Sequence, residues 1–138
     1  MRTMALDVGN KRIGVALSDP TGTLAQGIRV VEHRSREADA AALATLAHEN
    51  EVVEIVVGLP LLLSGKLGEQ ARSARRFGAE LSKVSGLPVV YWDERLTTAA
   101  AHRLMHEAGI PGRRQAERID AAAAELILQN YLDWRKRE

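Results

Sequence analysis

The stretch TMALDVGNKRIGVAL, residues 3–17, holds two short apolar segments on either side of a turn. The first segment, residues 3–8, ends at Gly9-Asn10, a pair typical of tight turns. The second segment, residues 13–17, ends at Ser18-Asp19-Pro20, where a proline interrupts strand pairing. Because so short a link cannot carry the chain back to the start of a parallel strand, the two segments predict an antiparallel hairpin.

After this hairpin the chain adds a third strand and then changes its pattern. A turn at Thr21-Gly22 leads into residues 24–31, so the first three strands predict an antiparallel meander. Helical and β-branched segments then alternate. They are a helix from Ser35, a candidate N-cap, to Asn50; a strand at 52–57; a loop at 58–68; a helix that ends before Gly86; a strand at 88–92; a helix from Thr97 or Thr98 to Ala108; a break at 109–114; and a last helix from about Gln115 to Trp134.

The resulting order, β-β-β-α-β-α-β-α-α, predicts a single α/β domain over residues 1–138. A meander followed by helical crossovers gives a five-stranded mixed sheet with helices on its faces. This order matches the ribonuclease H-like fold, although many doubly wound domains also end in alternating units.

Composition excludes several classes of function. The chain has no cysteine, so disulfides, thiolate catalysis and cysteine-bound metals are excluded. No apolar run reaches the roughly 18 residues of a membrane span, and we expect a cytoplasmic protein with no membrane partner. With 19 Lys and Arg against 18 Asp and Glu, any contact with nucleic acid must rely on a local basic patch. The two Trp, two Tyr and one Phe are too few for a platform of serially stacked bases.

Three carboxylates are candidates for chemistry. Asp7 lies inside the first apolar strand, where an acid is costly unless it is paired or bound to a metal. Glu94 follows the fifth strand. Asp120 opens the last helix and shares one helical stripe with Ala124 and Ile127, so we expect it on the side that packs against the sheet.

These three positions can meet at one point, where their charges would repel unless a divalent cation neutralised them. Oxygen ligands of this kind select Mg²⁺ or Mn²⁺, and a pair of such ions can clamp the attacking and leaving oxygens of a phosphodiester. Each acid also has a structural explanation. Asp7 can cap the adjacent turn, Glu94 can pair with Arg95 on the surface, and Asp120 can favour a helix N-terminus through the dipole.

Four stretches of the chain carry a family resemblance: LDVGNKRIGVA at 6–16, VGLP at 57–60, DERLTT at 93–98 and DAAAA at 120–124. In this order and spacing, over nearly the whole chain, the sequence resembles the YqgF/RuvX family. Its members are described as Holliday junction resolvases and as nucleases that mature the 5′ end of pre-16S ribosomal RNA. The D-x-G-x-K-R-I-G-x-A and D-E-R-L-T-T motifs are the specific part of the resemblance.

The resemblance implies a metal-dependent nuclease of the RNase H-like type in which Asp7, Glu94 and Asp120 hold Mg²⁺ or Mn²⁺. RNase H-like resolvases often place an acid at the end of the fourth strand, where this chain has Val57-Gly58. The second carboxylate must then come from the end of the fifth strand. Asp93 is a neighbour that can share or replace the role of Glu94.

Basic residues near these acids suit a polyanionic substrate, because they position phosphates without reading sequence. The candidates are Lys11 and Arg12 in the turn after Asp7, Lys66 in the glycine-containing loop at 58–68, Arg95 beside Glu94, and Arg113 and Arg114 in the loop before the last helix. Arg72, Arg76 and Lys83 along the second helix are expected to be solvated charges.

The leading hypothesis is an endo- or exonuclease with a nucleic-acid partner, either structured RNA in 5′-end maturation of pre-16S rRNA or branched DNA in junction resolution. Symmetric cutting of two strands would call for a homodimer. Two other classes stay open. One is an ATP-binding domain, since D-x-G before a hairpin also occurs in sugar kinases and actin-like ATPases, which need two such lobes. The other is a non-catalytic nucleic-acid-binding module that retains the acids.

The four histidines are expected on the surface. His102 and His106 have a spacing that is compatible with zinc, but no third ligand is close in sequence. His33 and His48 stand apart from any motif.

Overall fold

A computed structural model of the chain describes residues 1–60, 64–93 and 112–136, and it describes side chains in all of these except 112–120. The strands are β1 (Arg2–Val8), β2 (Arg12–Ser18), β3 (Ala25–Glu32), β4 (Val52–Leu59) and β5 (Val89–Asp93), and the helices are α1 (Arg36–Glu49), α2 (Glu69–Ser85) and α3 (Gly112–Lys136). The helix predicted from Thr97 or Thr98 to Ala108 lies outside the described residues. No helix in the described part is long and apolar enough to cross a membrane.

The five strands form one sheet in the order β3-β2-β1-β4-β5. The pairs β1–β2 and β2–β3 are antiparallel, so the predicted meander is confirmed. The pairs β1–β4 and β4–β5 are parallel, as helical crossovers require. The predicted fold class, a mixed five-stranded sheet flanked by helices, is therefore confirmed.

Successive residues of β1 face opposite sides of the sheet, which separates the interior into two cores. Met4 and Leu6 belong to the core under α1 and α2, whereas Ala5 belongs to the core under α3. All three side chains are fully buried. The sheet is thus the middle of three layers, and α3 alone among the described helices covers its second face.

The start of α1 and the end of α2 have the capping residues that the sequence predicts. The Ser35 hydroxyl accepts a hydrogen bond from the Ala38 N–H at 3.1 Å, which confirms Ser35 as the N-cap of α1. α2 ends at Gly86, whose φ of 74° lies in the left-handed region that glycine adopts without strain.

Two predicted boundaries are wrong. β4 continues through Gly58 to Leu59, because both residues pair with β5 and this pairing outweighs the weak strand preference of glycine. α3 begins at Gly112, so Arg113 and Arg114 lie in its first turn and not in a loop. The proline that precedes Gly112 in the sequence suggested a break, but proline is also compatible with the start of a helix.

The C-terminal half of α3 is attached to the sheet through Glu54 of β4. The Tyr131 hydroxyl donates a hydrogen bond to Glu54 Oε2 at 2.9 Å, and Arg135 forms an ion pair with the same carboxylate. Thr3 of β1 donates to Glu54 Oε1 at 3.3 Å. Burial and then the contact with Glu54 raise the pKa of the Tyr131 phenol above its ordinary value, so the phenol stays protonated and donates.

α3 also lies close against β3. The N–H groups of Ala25 and Gly27 donate to Gln129 Oε1 at 2.9 Å and to Glu125 Oε1 at 2.8 Å. A Cβ atom at position 27 would lie only 2.9 Å from the carbonyl oxygen of Ala121. The close contact between helix and strand therefore depends on a glycine at position 27.

Replacing Gly27 with alanine is expected to lower the free energy of unfolding by about 1–3 kcal/mol, because the added methyl group meets helix backbone that cannot rotate away. Urea denaturation measures this loss. Gln26→Ala, at the exposed neighbouring position, serves as the control and should stay within about 0.5 kcal/mol of the parent. A Gly27→Ala variant as stable as its control would contradict the packing described here.

Candidate active site

The carboxyl ends of the three parallel strands meet at one end of the sheet. Leu59 of β4 pairs with Asp93 of β5, and Leu6 of β1 pairs with Val57 of β4, two residues before each strand ends. We call this region, formed by the ends of β1, β4 and β5, the carboxyl end of the sheet. In α/β folds, ligands bind outside the carboxyl ends of the strands.

Asp7 lies at this end, on the face covered by α3. It alternates with Leu6 and therefore shares the face of Ala5. The residue is half-buried, and the residue opposite it on β2 is Gly14. Because directly opposite residues of an antiparallel pair face the same side, a glycine there contributes no side chain that would cover the carboxylate.

The N-terminal half of α3 extends toward the same end of the sheet. Gln129 bonds to Ala25 at the start of β3 and Glu125 bonds to Gly27 further along, so the helix runs antiparallel to β3 and β1. Position 120 falls on the helical stripe of Ala124 and Ile127, which are fully buried against the sheet. The backbone thus brings positions 7 and 120 to one face, as the sequence predicts.

The prediction that Asp120 opens the last helix is wrong, because α3 begins at Gly112 and position 120 lies well inside it. The helix dipole acts on charges within the first turn only. A purely structural role for Asp120 at a helix N-terminus therefore loses its physical basis.

The third predicted ligand, Glu94, lies outside the described residues, as does Arg95. β5 ends at the exposed residue Asp93, so Glu94 is attached directly to the carboxyl end of the sheet. Trp92 packs on Tyr131 of α3 with ring centroids 5.7 Å apart, and Asp93, next along the strand, faces the opposite side. Asp93 therefore faces away from Asp7, and the role of Glu94 stays a prediction.

Among the residues with described side chains, no group of three or more histidine, aspartate or glutamate side chains is arranged to hold a metal ion. The side chains of Glu94 and Asp120 are not among them. The meeting of the three carboxylates therefore stays a prediction, which the topology favours.

The basic candidates fall into two groups. Lys11 is exposed in the β1–β2 turn, Arg12 is the half-buried first residue of β2, and Lys66 is exposed between Gly65 and the start of α2. All three lie toward the carboxyl end of the sheet, because β1 and β4 both end there. Arg113 and Arg114 have a described backbone in α3 but no described side chains.

The turn that carries Lys11 and Arg12 depends on Gly9. Its N–H donates to the carbonyl oxygen of Arg12 at 2.8 Å, and a Cβ atom at position 9 would lie 2.8 Å from that oxygen. The tight turn holds the two cationic residues within a few residues of Asp7.

Sequence reasoning missed one polar site near this turn. His33 is exposed, as expected of a surface histidine, and its ring also bonds to Asp39, which is 2% exposed on the sheet-facing side of α1. The signal was present in the sequence, because Asp39 shares a helical stripe with Leu43 and Leu46. An acid on an apolar stripe is the same signal that singled out Asp7.

Gly9→Ala is expected to lower the free energy of unfolding by about 1–3 kcal/mol, since the added methyl group meets a backbone oxygen inside the hydrogen-bonded turn. Chemical denaturation gives the value. Asn10→Ala, which adds no atom to the turn, is the matched control. Equal stability of the two variants would show that the turn does not require a glycine.

Comparison with known proteins gives a consistent family assignment. The sequence model of a family described as "RuvX: Holliday junction resolvase" matches residues 1–134. A Myxococcus xanthus protein named "Putative pre-16S rRNA nuclease" is 50% identical over 133 residues, which cover 96% of this chain and 88% of the relative. A Moorella thermoacetica protein of the same name is 52% identical over 133 residues, which cover 96% and 95% of the two chains.

Solved structures support the fold. T. thermophilus RuvC in complex with a Holliday junction substrate matches with a TM-score of 0.60 and 14% identity over 99% of this chain and 96% of that one. The fowlpox virus resolvase in complex with Holliday junction DNA matches with a TM-score of 0.59 and 12% identity over 98% and 99% of the two chains. At these identities the likeness extends to the RNase H-like architecture and no further.

Proposed function

This chain belongs to the RuvX family, and we propose that it is a metal-dependent nuclease that hydrolyses phosphodiester bonds in the 5′-end maturation of pre-16S rRNA. The observation that carries the proposal is the convergence of three chain segments at the carboxyl end of the sheet. Asp7 and position 120 share one face there, and Glu94 follows the strand that ends beside them. A nuclease of this class needs acids from distant parts of the chain at one point.

The donor set fits Mg²⁺ or Mn²⁺. Carboxylate oxygens are hard ligands that these ions prefer. Asp7 is half-buried, and the residue directly opposite it on β2 is Gly14, which has no side chain. Asp7, Glu94 and Asp120 would hold the ion. When bound, it would polarise the scissile phosphate and lower the pKa of an attacking water.

The chain's own cations have a separate role. Lys11, Arg12 and Lys66 lie toward the end of the sheet that carries Asp7. They would neutralise backbone phosphates and orient the strand, while Arg95, Arg113 and Arg114 complete the predicted patch. Since the net charge is only +1, binding should rest on this patch and weaken steeply with salt.

Pre-rRNA is favoured over junction DNA as the substrate. The relatives that carry the rRNA name are about half identical to this chain, whereas the junction-bound structures are 12–14% identical. We place the activity in the cytoplasm, where bacterial rRNA is processed. A junction resolvase would instead require a homodimer, which light scattering can detect.

Asp7→Asn is expected to reduce cleavage of a pre-16S rRNA fragment to below about 1% of the parent rate. Loss of even an outer-shell group at a metal site costs about 10–100-fold, and Asp7 would be a direct ligand. Glu51→Gln, which removes an exposed carboxylate at the opposite end of the sheet, is the control and should cleave normally. An Asp7→Asn protein that is folded by circular dichroism yet fully active would refute the site.

Cleavage is expected to stop in excess EDTA and to return when Mg²⁺ or Mn²⁺ is restored, because carboxylates alone cannot activate the phosphate. A panel of pre-16S rRNA, single-stranded RNA and a four-way DNA junction identifies the substrate. Activity that persists in EDTA would exclude the metal mechanism. Binding of RNA without cleavage in either metal would instead indicate a non-catalytic module, and tight ATP binding an ATP-binding domain.

A further inference from the structure

A cleft of about 260 Å³ lies beside the β1–β2 turn, on the face of the sheet covered by α1 and α2. Its floor includes Ile13 and Phe77, which are almost fully buried. Its polar lining includes Asn10, His33, Arg36 and Ser73. The volume is several times the roughly 30 Å³ share of a water molecule in the liquid, so the cleft has room for an organic group.

One wall of the cleft is a fixed imidazole. His33 Nδ1 lies 2.6 Å from Asp39 Oδ2, and the Arg34 N–H donates to Asp39 Oδ1 at 3.1 Å. Both oxygens of this buried carboxylate are therefore engaged. Because a carboxylate only accepts, Nδ1 carries a proton, and Nε2 donates to a phosphate oxygen when the ring is protonated on both nitrogens. The ring is held in place while 45% of the His33 side chain remains exposed.

Arg36 supplies a cation that the described part of the protein leaves unused. Arg36 lines the cleft, and its guanidinium makes no ion pair or side-chain hydrogen bond within the described residues. Arg72 and Arg76 on α2, by contrast, pair with Glu69. An exposed arginine next to an oriented imidazole above an apolar floor is suited to a phosphate attached to an organic group.

We propose that this cleft binds one nucleotide of the nucleic-acid strand, with its phosphate at Arg36 and His33 and its sugar toward Asn10 and Ser73. This inference rests on the proposed nuclease function and adds a subsite to it. Asn10 follows Asp7 by three residues across the tight turn, which limits their separation to less than about 10 Å, and the cleft opens on the other face of the sheet. The bound nucleotide is thus a neighbour of the scissile phosphate, and Arg36 and His33 are positioning residues.

Nucleotide binding can be tested without any cleavage. The imidazole resonances of the full-length protein are followed by NMR in EDTA during titration with AMP, and His33→Gln assigns the His33 signal. We expect a saturable shift of the His33 signal at millimolar AMP, at least about tenfold weaker in Arg36→Ala, since a charge-assisted hydrogen bond is lost. Arg34→Ala, a neighbouring arginine outside the cleft, is the control and should bind AMP as the parent does.

Two further ligands identify what the cleft recognises. Adenosine, which lacks the phosphate, should leave the His33 signal unchanged. Inorganic phosphate should bind at least about tenfold more weakly than AMP, because it has no sugar to contact the remaining lining. Equal binding of adenosine would refute the phosphate assignment, equal binding of phosphate would refute a nucleotide subsite, and no shift with AMP would overturn the proposal altogether.

Steady-state kinetics supply an independent readout. For RNA cleavage, Arg36→Ala should raise KM about tenfold and leave kcat within about twofold, as expected for loss of ground-state binding. Arg34→Ala should change neither constant. A fall in kcat at constant KM, or unchanged kinetics, would overturn the positioning role. If the parent protein cleaves no substrate, the nuclease proposal fails. The AMP titration still tests nucleotide binding in the cleft, because it does not depend on cleavage.

Discussion

The pairing of β1 with β2 on one side and with β4 on the other determines where the rest of the molecule lies. The register that sets Asp7 opposite Gly14 also sends Met4 and Leu6 into one core and Ala5 into the other. Because side chains alternate with a period of two, a slip of one residue would move Asp7 under α1 and α2 and would move Met4 and Leu6 under α3. One pairing register therefore determines both the residues of each core and the face of the sheet that carries Asp7.

The contacts that hold α3 against the sheet also determine where the helix places position 120 of the candidate site. The C-terminal half of α3 is fixed by Glu54, whose carboxylate bonds to Tyr131, Arg135 and Thr3. These contacts lie at the end of the sheet opposite Asp7, yet they set the direction of the helix that brings position 120 toward it. Residues remote from the carboxyl end of the sheet thus contribute to the geometry of the site through a rigid helix.

The sequence predicts most of the architecture, because the signals that it uses are local. The hairpin around Gly9-Asn10 and the cap at Ser35 follow from turn and capping chemistry. The errors arise where a distant partner decides the outcome. Gly58 stays in a strand because β5 pairs with it. The bond between His33 and Asp39 depends on how the segment between β3 and α1 folds back on the helix, which the helical stripe of Asp39 alone does not predict. That Asp7, Glu94 and Asp120 meet stays a prediction, which rests on the resemblance and the strand order.

The side chains of Glu125 and Gln129 have a consequence for how copies of this protein meet. They bind the N–H groups of Gly27 and Ala25 on β3, the outermost strand of the sheet. Exposed edge strands are templates for intermolecular β-pairing, and unsatisfied N–H donors are what an incoming strand recognises. Because α3 accepts hydrogen bonds from two of these donors, it protects the first half of β3 from pairing with a strand of another molecule. Any specific self-association of the protein must therefore use other surfaces.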